Sequence, residues 1–441
     1  MPVNAVPESA AASSGLPGAR PHPRLVARRI PFDAIPREAW DRLLAVTACA
    51  TPFSRWEFHR AWWDGYGEAA HEDYMVCLAV DEAGEGTEDG RGPSASGATD
   101  HATDHAAPTH APTQRAASAH AASPQLDPAA IVGIAPLMHR HEVEPDDAIL
   151  RTAIRHASRT ALTPVPDRAK AVFFAASYHA DYATLLCDPA DLPDVAAAVV
   201  EALAAGPDLL HGSDDWDVVD LRRLRADDPA FHALEAAFCA ASERYGWEVA
   251  LELEEVCPVL HIDHWDWETY LQTLATKDRH EIRRKLRRAE AAGAIEFDEV
   301  ADPATAVDEL IAIHQARWGE DGLFPETEGG ARSRRFIRRL AELEGPDGTL
   351  RIGRLRVAGT VVFMCVGFHD RDTVYYYNAG SDPDAKALSP GIIGVAAYLR
   401  HGIAEGYQVF DFLRGNEGYK YTWGAVDQPI HRLIVTRRAD R

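Results

Sequence analysis

Residues 350–423 hold the pattern that most narrows what this chain can fold into. Alternating apolar positions rich in Val, Tyr and Phe mark three strands in meander over 350–357, 360–368 and 373–379, the first two joined at Ala358-Gly359. The helix that follows has a sharp start. Ser389 is a good N-cap residue, Pro390 takes the first helical position, and Gly391 allows a ligand close to the backbone. The helix should run from about Pro390 to Glu405, close at Gly406, and lead into a strand over 408–413.

The first amides of such a helix point outward unpaired, and together with the helix dipole they attract an anion such as a pyrophosphate. No charged side chain lies between Leu388 and Leu399 to oppose one. An ordinary capped helix has the same local pattern, so the neighbouring motifs matter.

Tyr376-Tyr377-Asn378-Ala379-Gly380, Leu388-Ser389-Pro390-Gly391, and Phe410-Asp411-Phe412-Leu413-Arg414-Gly415 through Tyr419-Lys420-Tyr421-Thr422-Trp423 resemble the GNAT-superfamily acyltransferases of the CelD/BcsL type. That group is similar in architecture to the FemABX aminoacyl transferases. The resemblance extends back to Lys277, Arg279, Ile282 and Arg283-Arg284 and covers most of the chain from Trp265 onward. A weaker likeness, Pro52-Phe53 through Trp62-Trp63 and Gly133-Ile134-Ala135-Pro136-Leu137, covers the first half. One departure stands out. The Arg/Gln-x-x-Gly-x-Gly pyrophosphate loop of typical GNAT enzymes is absent, and Ser389-Pro390-Gly391-Ile392-Ile393-Gly394 occupies its place.

At 441 residues the chain exceeds what one hydrophobic core usually serves, and a second element series repeats the first. His59 with Trp63, and His314 with Trp318, each lie one helical turn apart. Strands at 74–80, 131–138 and 182–187, a helix at 191–204 and a strand at 216–221 then parallel the later series, down to Val219-Asp220-Leu221 against Phe410-Asp411-Phe412. Chance agreement between common α/β patterns competes with a true repeat. The resemblance implies tandem GNAT-like domains of α/β (α+β) class, each a mixed, mainly antiparallel sheet flanked by helices. The expected layout is a disordered tail over 1–23, a degenerate domain over 24–250 and an acyltransferase domain over 251–441. Within the first, residues 84–128 form a low-complexity loop expected to be disordered. Its His101, His105, His110 and His120 lack Cys or carboxylate partners at a metal-binding spacing, so no metal is expected.

The copies differ where it matters. The first helix begins amid Asp188, Asp191 and Asp194, which would repel a pyrophosphate, so the chemistry is expected in the second copy. A net charge of -23 opposes general binding to DNA or anionic membranes. Six cysteines without a CxxC pair read as buried thiols of a reducing compartment, no apolar run is long enough to span a membrane, and the cytoplasm is the expected location.

The resemblance implies direct transfer from acetyl-CoA or another acyl-CoA as co-substrate, without a covalent enzyme intermediate, to a small-molecule or saccharide amine or hydroxyl. Acceptors in polysaccharide or cell-envelope metabolism follow from the family alone. Such a reaction needs an anion site, a proton acceptor for the nucleophile and stabilisation of the leaving thiolate. Ser389, Pro390, Gly391, Ile392 and Gly394 are the candidate cofactor-binding residues. Asp411 and Glu417 are the candidate bases, with a structural partnership of Asp411 to Arg414 or to backbone amides as the competing role. Tyr419 and Tyr421 would share one face of an extended segment, with Tyr421 available to the departing sulfur and Lys420 or Arg414 to an acidic acceptor. Asn378, near a strand end, is a further ligand contact. The basic helix carrying Lys277, Arg279, Arg283, Arg284, Lys285, Arg287 and Arg288 reads as a solvated face, a contact for an anionic acceptor, or a tRNA dock. Two other functions stay open: a FemABX-like aminoacyl transferase using aminoacyl-tRNA, which the acidic chain disfavours, and a non-catalytic scaffold of the same fold.

Overall fold

The computed structural model describes residues 24–72, 74–80, 126–140, 162–166, 168–176, 179–205, 216–263 and 266–438. The expected tail over 1–23, and the low-complexity loop as far as residue 125 with its four histidines, lie outside them.

Among the described residues an 11-stranded sheet runs through the whole molecule. Its order is Ile295–Glu299, Leu350–Val357, Thr360–His369, Thr373–Ser381, Val409–Asp411, Trp247–His261, Val426–Arg437, Val218–Arg225, Ala171–Phe174, Leu137–Arg140, His71–Glu72. Two long antiparallel strands, Trp247–His261 and Val426–Arg437, form its centre. On each side a run of antiparallel strands ends in one parallel pair: Thr373–Ser381 with Val409–Asp411 in the second half, Ala171–Phe174 with Val218–Arg225 in the first. The sheet is thus roughly symmetric about its centre, but not through the strands expected from the sequence: those at 74–80 and 182–187 pair in a separate sheet, and Ala171–Phe174, not expected as a strand, lies beside Val218–Arg225. A smaller sheet of Arg24–Arg29, Met75–Val80, Ile131–Ala135 and Leu186–Cys187 completes the first half.

The two halves share structure. Trp247–His261 starts packed on Trp216 and Phe238 of the first half and ends paired with Val409–Asp411, so the expected boundary at 250/251 falls inside a strand. One core also spans both: Phe58 of helix Trp56–Tyr66 meets Phe336 of helix Glu328–Glu344 edge-on at 5.4 Å, and Tyr66 and Ser333 hydroxyls bond at 2.6 Å. Separate clusters lie under helix Leu192–Ala204 and under helix Pro390–Glu405.

Local signals in the second half do what their chemistry requires. Ala358 and Gly359 both take positive φ (52° and 79°), the geometry of a tight hairpin matched to strand twist. Helix Pro390–Glu405 buries Ile393, Ala396, Tyr398 and Leu399, Ile393 and Leu399 each contributing roughly 1.5–3 kcal/mol, and Gly406 ends it in the left-handed region. In the first half the expected strand over 131–138 is broken at Pro136, which cannot donate to a ladder, and that over 182–187 shrinks to Leu186–Cys187. Cys77, Cys187, Cys257 and Cys365 are buried free thiols, Cys49 is half-buried, and Cys239 is exposed on its helix. Among the described residues no helix is long and apolar enough to cross a membrane.

Candidate active site

The start of helix Pro390–Glu405 is built differently from its sequence expectation. Ser389 is itself left-handed (φ 58°, ψ 56°), and its side chain does not cap the helix. Its Oγ instead accepts a hydrogen bond from Arg288 Nη2 at 2.7 Å, while its carbonyl receives the amides of Ile392 and Ile393 at 3.0 and 3.2 Å. Arg288 is carried by the basic helix Thr276–Ala292, whose Ile282 and Ala289 are buried and whose Leu286 packs on the same core. A guanidinium therefore sits where the helix dipole is positive, a concentration of positive charge that an anion would neutralise. A Cβ added at Gly391 would meet nothing within 4 Å, so that position faces open space. Gly394 differs: a Cβ there would come within 2.4 Å of the Phe363 ring, so this glycine lets helix and strand approach. Ile392 is half-buried beside it.

The parallel pair opens next to that helix. Thr373–Ser381 and Val409–Asp411 pair only at Thr373/Val409, Val374/Phe410 and Tyr375/Asp411. On its other edge the longer strand stays bonded to Thr360–His369 as far as Ser381. Beyond Tyr375 it has no strand partner on the Asp411 side among the described residues, while the Trp318 indole N–H donates to the Ala379 carbonyl at 3.1 Å. Phe410, Phe412 and Tyr376 face the core under helix Pro390–Glu405, whereas Tyr375 and Leu413 face the core shared by the two halves. Alternation along a strand puts Asp411 on that second face.

Asp411 is 5% exposed. Its Oδ2 accepts from the Tyr182 hydroxyl at 2.7 Å and its Oδ1 from the Leu413 amide at 2.7 Å. Burial pushes its pKa up to about 6, against the lowering effect of those two hydrogen bonds and of the Arg225 charge. A carboxylate tuned close to neutrality suits general-base work.

The loop after Asp411 is held by Lys420. The Lys420 ammonium is buried and donates to the carbonyls of Leu413, Arg414 and Gly415 at 2.9, 2.8 and 3.0 Å, and pairs with Glu417 at 3.0 Å. Leu413 is bent into the left-handed region (φ 57°), which ends the strand at Asp411 and shortens the one expected over 408–413. Gly415 takes φ 111°, and a Cβ there would strike the Glu417 carboxylate. Residues 418–422, expected to be extended, form the short helix Gly418–Thr422, so Tyr419 and Tyr421 do not share a strand face. Both are about a third exposed; Tyr419 packs edge-on to Phe412, and the Tyr421 hydroxyl donates to Asp427 at 2.6 Å. Arg414 is buried and bonded through Nε to Asp181. Asn378 is half-buried beyond the split, its Oδ1 accepting the Ala379 amide at 2.8 Å. Asp411 and Asn378 thus stand at the opening, while the charges of Arg414 and Lys420 are engaged in holding the loop and joining the halves.

Arg288, Asp181, Tyr182 and Arg225 were not singled out as site residues from the sequence. Arg288 was visible only as one of a basic run. Nothing in the chain's order links Tyr182 to a carboxylate 229 residues away.

Residues 276–421 match the family model described as an acetyltransferase (GNAT) domain. Among solved structures, FemX superposes over 92% of this chain and 96% of its own, at 9% identity and a TM-score of 0.50. The overlap is nearly full length on both sides. The fold is a tandem GNAT fold. A tandem GNAT protein from the clavulanic acid biosynthesis pathway aligns over 94% of this chain and 100% of its own at 10% identity, with a TM-score of 0.43. L-PGS from Bacillus licheniformis aligns over 62% and 78% at 12% identity and a TM-score of 0.38. The fold assignment rests on the family match and on FemX. A comparison with curated proteins finds no match.

Proposed function

We propose that this protein is an acyltransferase that passes an acyl group, in the simplest case acetyl, from acyl-CoA directly to the amine or hydroxyl of a small-molecule or saccharide acceptor. The observation that carries this reading is the split between Thr373–Ser381 and Val409–Asp411, with the Ser389–Gly391 helix start on one face and the Asp411 carboxylate on the other. The pyrophosphate of the donor would lie against the helix start and Arg288, and the acyl-bearing arm would run through the split. On the far face the acceptor nitrogen or oxygen attacks the thioester carbon, its proton passes to Asp411, and the C–S bond breaks. A thiol has an ordinary pKa of about 8.5, so the sulfur can leave as thiolate and take its proton from solvent. Tyr421, committed to Asp427, is not required for that step. Asn378 would contact ligand at the opening. The tandem GNAT fold and the acetyltransferase family match over 276–421 support the reaction class.

The test is thermal stability with and without acetyl-CoA, for the wild type and Gly391→Asp. A ligand bound only by the folded state raises the melting temperature, by an amount equivalent to about 2.7 kcal/mol at a hundredfold excess over Kd. The open space at Gly391 lets the aspartate fold while placing a repelling charge at the cradle. A rise in wild type that is lost in the variant supports the site. No rise at saturating acetyl-CoA moves the assignment to an aminoacyl-tRNA donor, the reading that the FemX-like architecture and the basic helix favour. Tight, strongly salt-dependent tRNA binding would then be the expected result.

A further inference from the structure

Two consecutive first-half residues reach into the second half at the same place. Asp181 binds Arg414, and the Tyr182 hydroxyl donates to Asp411. Tyr182 is buried, and its position is fixed on several sides. Its ring lies 6.2 Å from Phe53, edge-on, and the Arg225 guanidinium stacks over it at 5.3 Å, itself anchored by Asp227 at 2.7 Å. The partner carboxylate is equally constrained, since its other oxygen takes the Leu413 amide and the Leu413 carbonyl is held by Lys420. Each Asp411 oxygen thus receives one donor, and one of those donors belongs to the first half.

We propose that Tyr182 is a positioning residue for the transfer reaction, acting through Asp411. The inference rests on the reading of Asp411 as the base. A hydrogen bond at 2.7 Å fixes the orientation of the carboxylate, and it favours the charged form that accepts a proton. The other groups facing Asp411 do not substitute for it. From the elements packed around the carboxylate these are Asp181, the Arg225 charge, the Cys257 thiol, Tyr375 and Arg414. Burial holds the Cys257 thiol and the Tyr375 phenol far above their ordinary pKa values, so both stay neutral at physiological pH, and Arg225 and Arg414 are engaged with Asp227 and Asp181. The first half thereby supplies one working hydrogen bond to the centre in the second.

Tyr182→Phe keeps the ring and deletes the donor. Two readouts are needed: the pH profile of kcat/KM for acetyl transfer, and the titration of the Asp411 carboxyl by infrared difference spectroscopy against Asp411→Asn. Loss of one hydrogen bond to a carboxylate is worth about one pH unit, so both the acid limb and the infrared titration should move up by about that amount. 3-Fluorotyrosine at position 182, a stronger donor of the same shape, should move both down. It also keeps the test available if the phenylalanine variant does not fold. An infrared titration that stays in place in both variants overturns the proposal, whatever the activity does. A shifted titration with a stationary rate profile shows that Asp411 is not the base, and removes the reading on which the proposal stands.

Discussion

Asp220 and Asp411 hold matching places in the two halves, each the third residue of the strand that follows its copy's helix, and each is buried. Their surroundings differ. Asp220 takes Arg432 through both oxygens, at 2.6 and 2.9 Å, and Arg222 at 3.0 Å. Burial alone would raise its pKa, but those two charges outweigh it and hold it below the ordinary carboxylate value. Asp411 has a phenol and an amide in place of two guanidiniums, and burial wins, to about 6. One copy has spent its aspartate on fastening the central strand Val426–Arg437 to the first half; the other keeps a carboxylate whose charge is poised to change. A buried acid becomes a structural pin or a proton acceptor according to whether a fixed cation faces it.

The harshest way to break this contrast is to neutralise each carboxylate in turn. Asp220→Asn leaves Arg432 with Glu252 as its remaining carboxylate and should lose ~3 kcal/mol, the low end for breaking a buried pair, in urea unfolding at pH 7. Asp411→Asn under the same conditions should cost nothing or stabilise. Equal losses would mean that the two sites are the same kind of feature.

The pH dependence separates them by sign. The folded pKa of Asp411 lies above its unfolded value of 3.8, so its contribution to stability is complete below that value and is lost as pH rises through about 6. The shift of about two units corresponds to ~3 kcal/mol, so wild type should lose up to that much relative to Asp411→Asn between pH 4 and pH 8. Asp220 is depressed, so its contribution is present above 3.8 and disappears as pH falls through its lower folded value. Wild type should therefore converge on Asp220→Asn in acid. Urea midpoints across pH 2–8 test both slopes, and slopes of the same sign would sink the distinction.

The loop beside Asp411 gives the smallest effects. Lys420→Met strips three buried carbonyls of their donor and should cost ~1–3 kcal/mol. Glu417→Gln, at the half-exposed end of that pair, should change stability by less than ~0.5 kcal/mol and leave the acid limb of the rate profile in place. A displaced limb in Glu417→Gln would transfer the base assignment from Asp411 to Glu417.

Much of the second half was legible because its signals are local. Ala358-Gly359, Pro390 and Gly406 each act on their own φ or their own missing N–H, and each does so where expected. Ser389 misled because a left-handed residue whose hydroxyl faces a guanidinium from residue 288 cannot cap the helix with that hydroxyl. Residues 418–422 misled for a related reason: the loop is wound around the Lys420 ammonium, and alternation in sequence carries no record of three converging carbonyls.

The sequence by itself determined the meander, helix and strand order of the second half, since these depend on residues within a turn or a strand of one another. Only the tertiary structure decided which aspartate can titrate near neutrality. That depends on an arginine placed 212 residues from Asp220 and a tyrosine 229 residues from Asp411, brought into contact by a sheet in which each half lends strands and side chains to the other.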